Sequence, residues 1–194
     1  MNCRLSYSLL TVTLAVTGWA SDPAGVHNFQ QVGDHVYRGA QPTARGLENL
    51  QKMGVRTIID LRGEAHRADL EKSVVERAGM RYVHIPLSGY RAPTDAEMAK
   101  VFAAMNDSSG WPVFIHCRRG ADRTGTVIAC YRIAHDHWNS RKALEEAKLR
   151  KMSWTEWGMQ RYILGFDPKR CCATAITENP SPPQPALTRS ISSP

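Results

Sequence analysis

The chain has 194 residues, with 25 Lys+Arg against 18 Asp+Glu and a formal charge of +7. At roughly 100–200 residues per domain this length argues for one domain, and a hydrophobic content of 42% excludes a wholly disordered chain. The positive balance favours an anionic partner without choosing among phosphates, nucleic acid and acidic membrane surfaces.

Residues 1–20 read as an export signal rather than as part of the fold. Arg4 is the only charge, Leu5 to Trp19 is an apolar stretch, and Gly18-Trp19-Ala20 places small residues at the positions a signal peptidase inspects. The stretch is short of the ~20 apolar residues of a membrane span, so no stable insertion is expected after cleavage, and the mature protein is expected to be secreted or periplasmic.

Residues 21–166 are expected to form the folded domain. A weak strand is predicted at His35–Arg38, and three stronger ones at Arg56–Leu61, Arg81–Leu87 and Pro112–His116, each β-branched or aromatic and bounded by breakers. Helical patterns alternate with them. Thr43 can cap a helix carrying Leu47, Leu50 and Met53 and ending at Gly54; residues 66–78 form a second. A third opens at Thr94, which with Glu97 makes a capping-box pattern. Beyond residue 123 the pattern is all helix: Thr124–His137, Ser140–Lys151 and Trp154–Leu164. This alternation predicts an α/β fold with a central, mainly parallel sheet flanked by helices, and a site where strands end and helices begin. From Asp167 to Pro194 the composition turns to Pro, Ser and Thr without apolar period, which reads as a disordered tail.

At one strand-to-helix junction stands His116-Cys117-Arg118-Arg119-Gly120-Ala121-Asp122-Arg123-Thr124-Gly125. An apolar strand runs into a Cys, then a Gly-containing loop, an Arg and a helix. Successive loop N–H groups can form an anion nest, and the helix N-terminus adds its positive dipole end. Such surroundings lower a thiol pKa from about 8.5 to about 3.5–7.5. Arg123 can grip two phosphate oxygens with its planar fork. The candidate phosphate-binding residues are therefore Arg118, Arg119, Gly120, Ala121, Asp122 and Arg123, beneath which Cys117 is the nucleophile.

These residues match the pattern His-Cys-any five-Arg-Thr/Ser, and the chain resembles the dual-specificity branch of the protein-tyrosine-phosphatase superfamily, in particular its small atypical bacterial, plant and fungal enzymes. Tyr37-Arg38-Gly39-Ala40-Gln41-Pro42, Ile58-Ile59-Asp60-Leu61-Arg62 and Ile85-Pro86-Leu87 stand where those enzymes carry similar segments. The resemblance spans about residues 33–165 and implies a Cys phosphatase-like fold. It implies a phosphocysteine on Cys117, phosphate and transition-state binding by Arg123, help to the leaving thiolate from Thr124, and support of loop and thiolate by His116. No metal or other cofactor is implied.

Family members usually take the leaving-group proton from an Asp on a separate loop. Asp95, between Leu87 and the helix at Thr94, is the first candidate, although an acid in a first helical turn also complements the dipole. Asp122 is the rival, because myotubularin-like phosphatases carry an Asp at the matching loop position; Glu97 is expected in the capping box. Arg118 and Arg119, with Arg91 on the acid-loop segment, suit multiply anionic substrates, and Tyr90 on the same segment can line the pocket wall. The expected partners are phosphorylated Tyr, Ser or Thr proteins or small anionic phosphates, with inositol phosphates, inositol pyrophosphates and phosphoinositides as the alternative. A non-catalytic phosphate-binding pseudophosphatase, a sulfur transferase and a nucleic-acid binder are the other classes. The first often lacks the Cys, Arg or acid, the second typically has a loop one residue shorter, and the third leaves the Cys–Arg loop unexplained, so no nucleic-acid partner is expected. Of the remaining cysteines, Cys130 is expected in the core, while Cys171 and Cys172 can pair with each other, pair with another chain, or reversibly cap Cys117.

Overall fold

The computed structural model describes residues 23–172. The expected signal and most of the expected tail lie outside the described residues. Five strands form one sheet in the order β1-β2-β5-β3-β4: β1 Gln30–Gln31, β2 Val36–Ala40, β3 Thr57–Asp60, β4 Arg81–His84 and β5 Val113–Cys117. All neighbours are parallel except β1 and β2. Strand β1 was not anticipated, because two glutamines on a sheet edge carry no apolar alternation.

Strand β5 is central and buried along its whole length. Its residues alternate between two layers, as pleated strands must. Val113, Ile115 and Cys117 join one apolar cluster with Ile59, Met98, Phe102, Val127, Ile128 and Ile163. Phe114 joins a second with Phe29, Leu47, Leu50, Ile58 and Val75. Each fully buried side chain of this kind contributes roughly 1.5–3 kcal/mol. The register places Ala40 beside Cys117 and Asp60 beside His116, so the carboxyl ends of β2, β3 and β5 finish together.

The helices are α1 Ala44–Lys52, α2 Ala65–Arg77, α3 Asp95–Asn106, α4 Asp122–Ala134, α5 Ser140–Leu149, α6 Trp157–Leu164 and α7 Pro168–Cys172. Side-chain caps set several starts, the one at Thr43 as expected. Thr43 Oγ1 accepts from Gly46 N at 3.1 Å, and Asn139 Oδ1 accepts from Lys142 N at 2.9 Å. Helix α4 begins two residues earlier than expected, inside the loop signature, and is buried continuously from Thr124 to Tyr131. Helix α6 begins three residues late, because residues 153–156 turn against Gln160, whose Nε2 donates to Ser153 O. The chain after Phe166 also departs from expectation. Its described part is helix α7, tied to α3 by Arg170 on Asp95 at 2.9 Å and by the burial of Cys171. No helix among the described residues is long and apolar enough to cross a membrane.

The capping box of α3 forms in full. Thr94 Oγ1 accepts from Glu97 N at 3.2 Å and Glu97 Oε2 accepts from Thr94 N at 2.7 Å. Arg91 grips the same carboxylate at 2.6 and 2.9 Å. The Arg91 bond, with the Thr94 N–H and hydroxyl, outweighs desolvation and holds Glu97 down at about 2, against an ordinary 4.5. A depressed carboxyl stabilises the fold above its unfolded value and loses that contribution as pH falls through the folded one. Glu97→Gln is therefore expected to lower the urea midpoint at pH 6, with the gap to wild type narrowing steadily between about pH 4.5 and pH 2.

Candidate active site

The loop after β5 is shaped from behind. Gly120 has φ +64, and a Cβ there would lie 2.3–2.4 Å from the backbone of Gly39 and Ala40, so the loop rests directly on the end of β2. Its carbonyl accepts from the fully buried Arg38 Nη2 and from Asn28 Nδ2 at 2.9 Å. Asn28 Nδ2 also donates to Arg150 O at 3.0 Å. Because a trans peptide sets C=O and N–H on opposite sides, fixing this carbonyl against β2 turns the Ala121 N–H away from it, as an anion nest requires.

The pocket in front has a volume of about 650 Å³. Cys117, Arg118, Arg119, Asp122 and Arg123 line it from the loop, Ser88, Gly89 and Tyr90 from the segment after β4, Glu64 from the segment after β3, and Glu156 from the turn before α6. Cys117 is buried at its floor. Arg123 stands against the 88–90 segment, its Cζ 3.9 Å from where a Gly89 Cβ would be. Thr124 is fully buried, and its Oγ1 has no hydrogen-bond partner among the described residues. A hydroxyl kept uncommitted one residue after Arg123 is available to a sulfur at the loop's start.

His116 faces the opposite layer, as strand alternation demands. Its ring stacks on Phe114, and its Nε2 lies 2.8 Å from Glu71 Oε1 in an ion-pair contact. Around it runs a buried network. Arg62 Nη2 contacts Asp60 at 2.6 Å and Glu71 at 2.7 Å, and the Tyr82 hydroxyl donates to Asp60 Oδ2 at 2.6 Å. Burial pushes the Asp60 carboxyl up, but the Arg62 bonds, the neighbouring His116 and the Tyr82 hydroxyl together hold it below its usual range. Asp60, Glu71 and His116 offer ligand atoms within 4.8 Å of one another. Arg62 already bridges both carboxylates, so the cluster balances its charge with a guanidinium.

The two acid candidates separate. Asp122 Oδ1 accepts from Ser153 N at 2.8 Å and Oδ2 from Arg119 Nη2 at 2.6 Å, which places its carboxylate in the pocket wall. Asp95 does not line this pocket. Its Oδ1 accepts from the Tyr162 hydroxyl at 2.9 Å and its Oδ2 from Arg170, in a separate hollow with Ala92 and Phe166. Arg170 first, then Tyr162, holds Asp95 below the usual carboxylate range. The expectation that Asp95 protonates a leaving group is corrected by this placement: it joins α3, α6 and α7. Arg91 likewise turns to Glu97 rather than to the mouth. Cys171 packs against the Asp95 backbone carbonyl at 3.7 Å rather than in the Cys117 pocket, which argues against its capping Cys117; the Cys172 side chain lies outside what is described. Cys130 is in the core, as expected.

Sequence reasoning missed Arg38, Asn28, Glu71, Glu64, Glu156 and Ser153. A visible signal existed only for Arg38, a charged residue inside a short strand whose other positions are buried or half-buried.

Comparison with known proteins gives a consistent picture. The model of the family described as DSP-PTPase phosphatase fused to NAD+ kinase matches residues 15–162. Dual specificity protein phosphatase TpbA of Pseudomonas aeruginosa strain UCBPP-PA14 is 32% identical over 129 residues, 66% of this chain and 56% of that one. Inositol diphosphatase DSP5 of Arabidopsis thaliana is 30% identical over 145 residues, 72% of this chain and 70% of that one. The chain thus spans a little over half the length of the TpbA relatives it matches. Among solved structures, a P. aeruginosa TpbA variant in complex with pTyr superposes with TM-score 0.67 at 27% identity, covering 80% of this chain and 94% of that one. The core catalytic domain of the PP-IP phosphatase SIW14 from S. cerevisiae, in complex with citrate, gives TM-score 0.67 at 21% identity, covering 77% and 93%, a likeness of fold.

Gly120→Ala must adopt a left-handed backbone, at about 1–2 kcal/mol, and force its Cβ into the Gly39–Ala40 backbone. The variant is expected to stay folded but to bind inorganic phosphate or vanadate at least tenfold more weakly, measured by calorimetric titration.

Proposed function

The chain belongs to the DSP-PTPase phosphatase family, and from that premise we propose that it hydrolyses phosphate monoesters through a phosphocysteine on Cys117. The observation that carries the proposal is that Cys117, Arg118, Arg119, Asp122 and Arg123 of one loop line a single pocket. In this reading, loop N–H groups and Arg123 hold three phosphate oxygens, which presents phosphorus to Sγ with the ester oxygen opposite. The Cys117 thiolate attacks, the P–O ester bond breaks, and the leaving oxygen takes a proton. Water then attacks the phosphocysteine, the S–P bond breaks, and inorganic phosphate leaves. The Thr124 hydroxyl donates to the departing sulfur, and His116 acts from behind the sheet as a positioning residue.

We assign the leaving-group proton to Asp122, whose carboxylate lines the pocket at the start of α4. The first substrate class is phosphotyrosine and phosphoserine/threonine protein. A second is favoured by a specific observation: Arg118 and Arg119 line the pocket and are exposed, which suits multiply anionic inositol phosphates and pyrophosphates or phosphoinositides. Export through residues 1–20 would put this activity in the periplasm or outside the cell, supported by the apolar run Leu5 to Trp19.

Phosphate release from phosphopeptides, inositol phosphates, phosphoinositides and nucleotides is the direct test. Wild type is expected to turn over at least one class, and Cys117→Ser to lose more than about 10³-fold while still binding substrate. An inactive wild type with Cys117 reduced would overturn the enzyme reading in favour of a phosphate-binding module. Asp122→Asn is expected to lose about 10²–10⁴-fold with alkyl phosphates and far less with a p-nitrophenyl leaving group. An equal loss with both leaving groups would remove Asp122 as the acid.

A further inference from the structure

We propose that Arg38 is a positioning residue of this site, pinning the loop through the Gly120 carbonyl and keeping a fixed positive charge behind the Cys117 thiolate. The inference rests on Cys117 being the nucleophile.

Arg38 sits on β2 opposite Ile115, two residues before Cys117, and is fully buried. Apart from the bond to Gly120 O, its Nε and Nη1 have no partner, and it forms no ion pair among the described residues. Burying a guanidinium this way is unfavourable to the fold, and a purely structural arginine would be paired with a carboxylate. Burial lowers Arg38 to about 10, with Glu146 and Cys117 opposing the fall and Arg150 and Arg132 adding to it. These are also the charged groups around it. Glu146, on α5, is already bound by Arg132 at 3.1 and 3.2 Å and by Gln30 at 3.0 Å. Glu146 still acts on Arg38 through space as the larger opposing charge, but makes no ion pair with it; the Cys117 thiolate comes second, at the end where the loop would hold an anion.

The other charges around Cys117 do not duplicate this one. Arg118 and Arg119 are exposed, Arg119 is tied to Asp122, and Arg123 is half-buried in the pocket wall. Glu64 and Glu156 line the same pocket with opposite sign, and Glu71 lies beyond His116 in the far layer. Arg38 alone among these cations is fully buried, where charge acts most strongly. Its geometry also separates two effects, since the guanidinium supplies both a charge and the donor that turns the Gly120–Ala121 peptide.

Arg38→Met, Arg38→Lys and Asn28→Ala test this with two readouts that need no turnover: the pH midpoint of iodoacetamide alkylation of Cys117, followed by intact mass, and the affinity for inorganic phosphate. Arg38→Met is expected to raise the midpoint by about one pH unit and weaken phosphate at least tenfold. Arg38→Lys loses the planar fork, and its buried ammonium gives up its proton more readily than a guanidinium, so its midpoint is expected to fall between those of wild type and Arg38→Met while phosphate weakens. Asn28→Ala is expected to leave the midpoint in place and weaken phosphate by less than tenfold. A folded Arg38→Met with the wild-type midpoint overturns the proposal. If that variant does not fold, unaltered phosphate affinity in both Arg38→Lys and Asn28→Ala overturns it. Absence of turnover by wild type would defeat the phosphatase reading and leave these readouts standing.

Discussion

Consecutive residues of a strand point to opposite faces, and at the end of β5 this rule separates His116 from Cys117. One residue earlier or later, the Cys would face Phe114's layer and the loop would open over α1 and α2 instead of α4. The placement of β5 between β2 and β3 makes the consequence inescapable, because both faces of a central parallel strand are covered. Cys117 therefore emerges under the N-terminus of α4, and His116 is committed to the Glu71 layer behind. The loop inherits its shape from the same arrangement: it must turn back within van der Waals distance of the end of β2, and only a residue without Cβ can do so at position 120.

Two buried charge systems flank this strand end. On one side Arg62 compensates Asp60 and Glu71, with Tyr82 and His116 completing the set. On the other Arg38 makes no ion pair among the described residues, Glu146 and Cys117 opposing it only through space. The first is a self-consistent network in which cation and anions satisfy one another. The second leaves positive charge beside the place where an anion is expected, an asymmetry that a site built for dianions can use.

Carboxylates in the outer parts of the fold serve different ends. Asp95 and Asp122 each begin a helix and each meet an arginine, yet Asp95 closes α3 onto α6 and α7 while Asp122 forms pocket wall. Position along the chain does not distinguish them. Asp95 lies on the segment where the general acid was expected, but Tyr162 and Arg170 come from residues 67 and 75 positions later and bind both its oxygens.

Much of the fold was legible from local chemistry. The strands around residues 57–60, 81–84 and 113–117 are β-branched or aromatic runs between breakers, and the caps at Thr43 and Thr94 are short-range hydrogen bonds that sequence spacing encodes. The nucleophile loop was legible for the same reason: Cys117, Gly120, Arg123 and Thr124 lie within one turn of chain, so their spacing is their geometry. Strand β1, helix α7 and the partners of Asp95, Arg38 and His116 were not, because each depends on residues brought together from tens of positions away. By itself the sequence determined which residues can perform the chemistry. The tertiary structure decided which carboxylate shares their pocket and which buried cation stands behind them, since burial and long-range contact are properties of packing and leave no periodic trace along the chain.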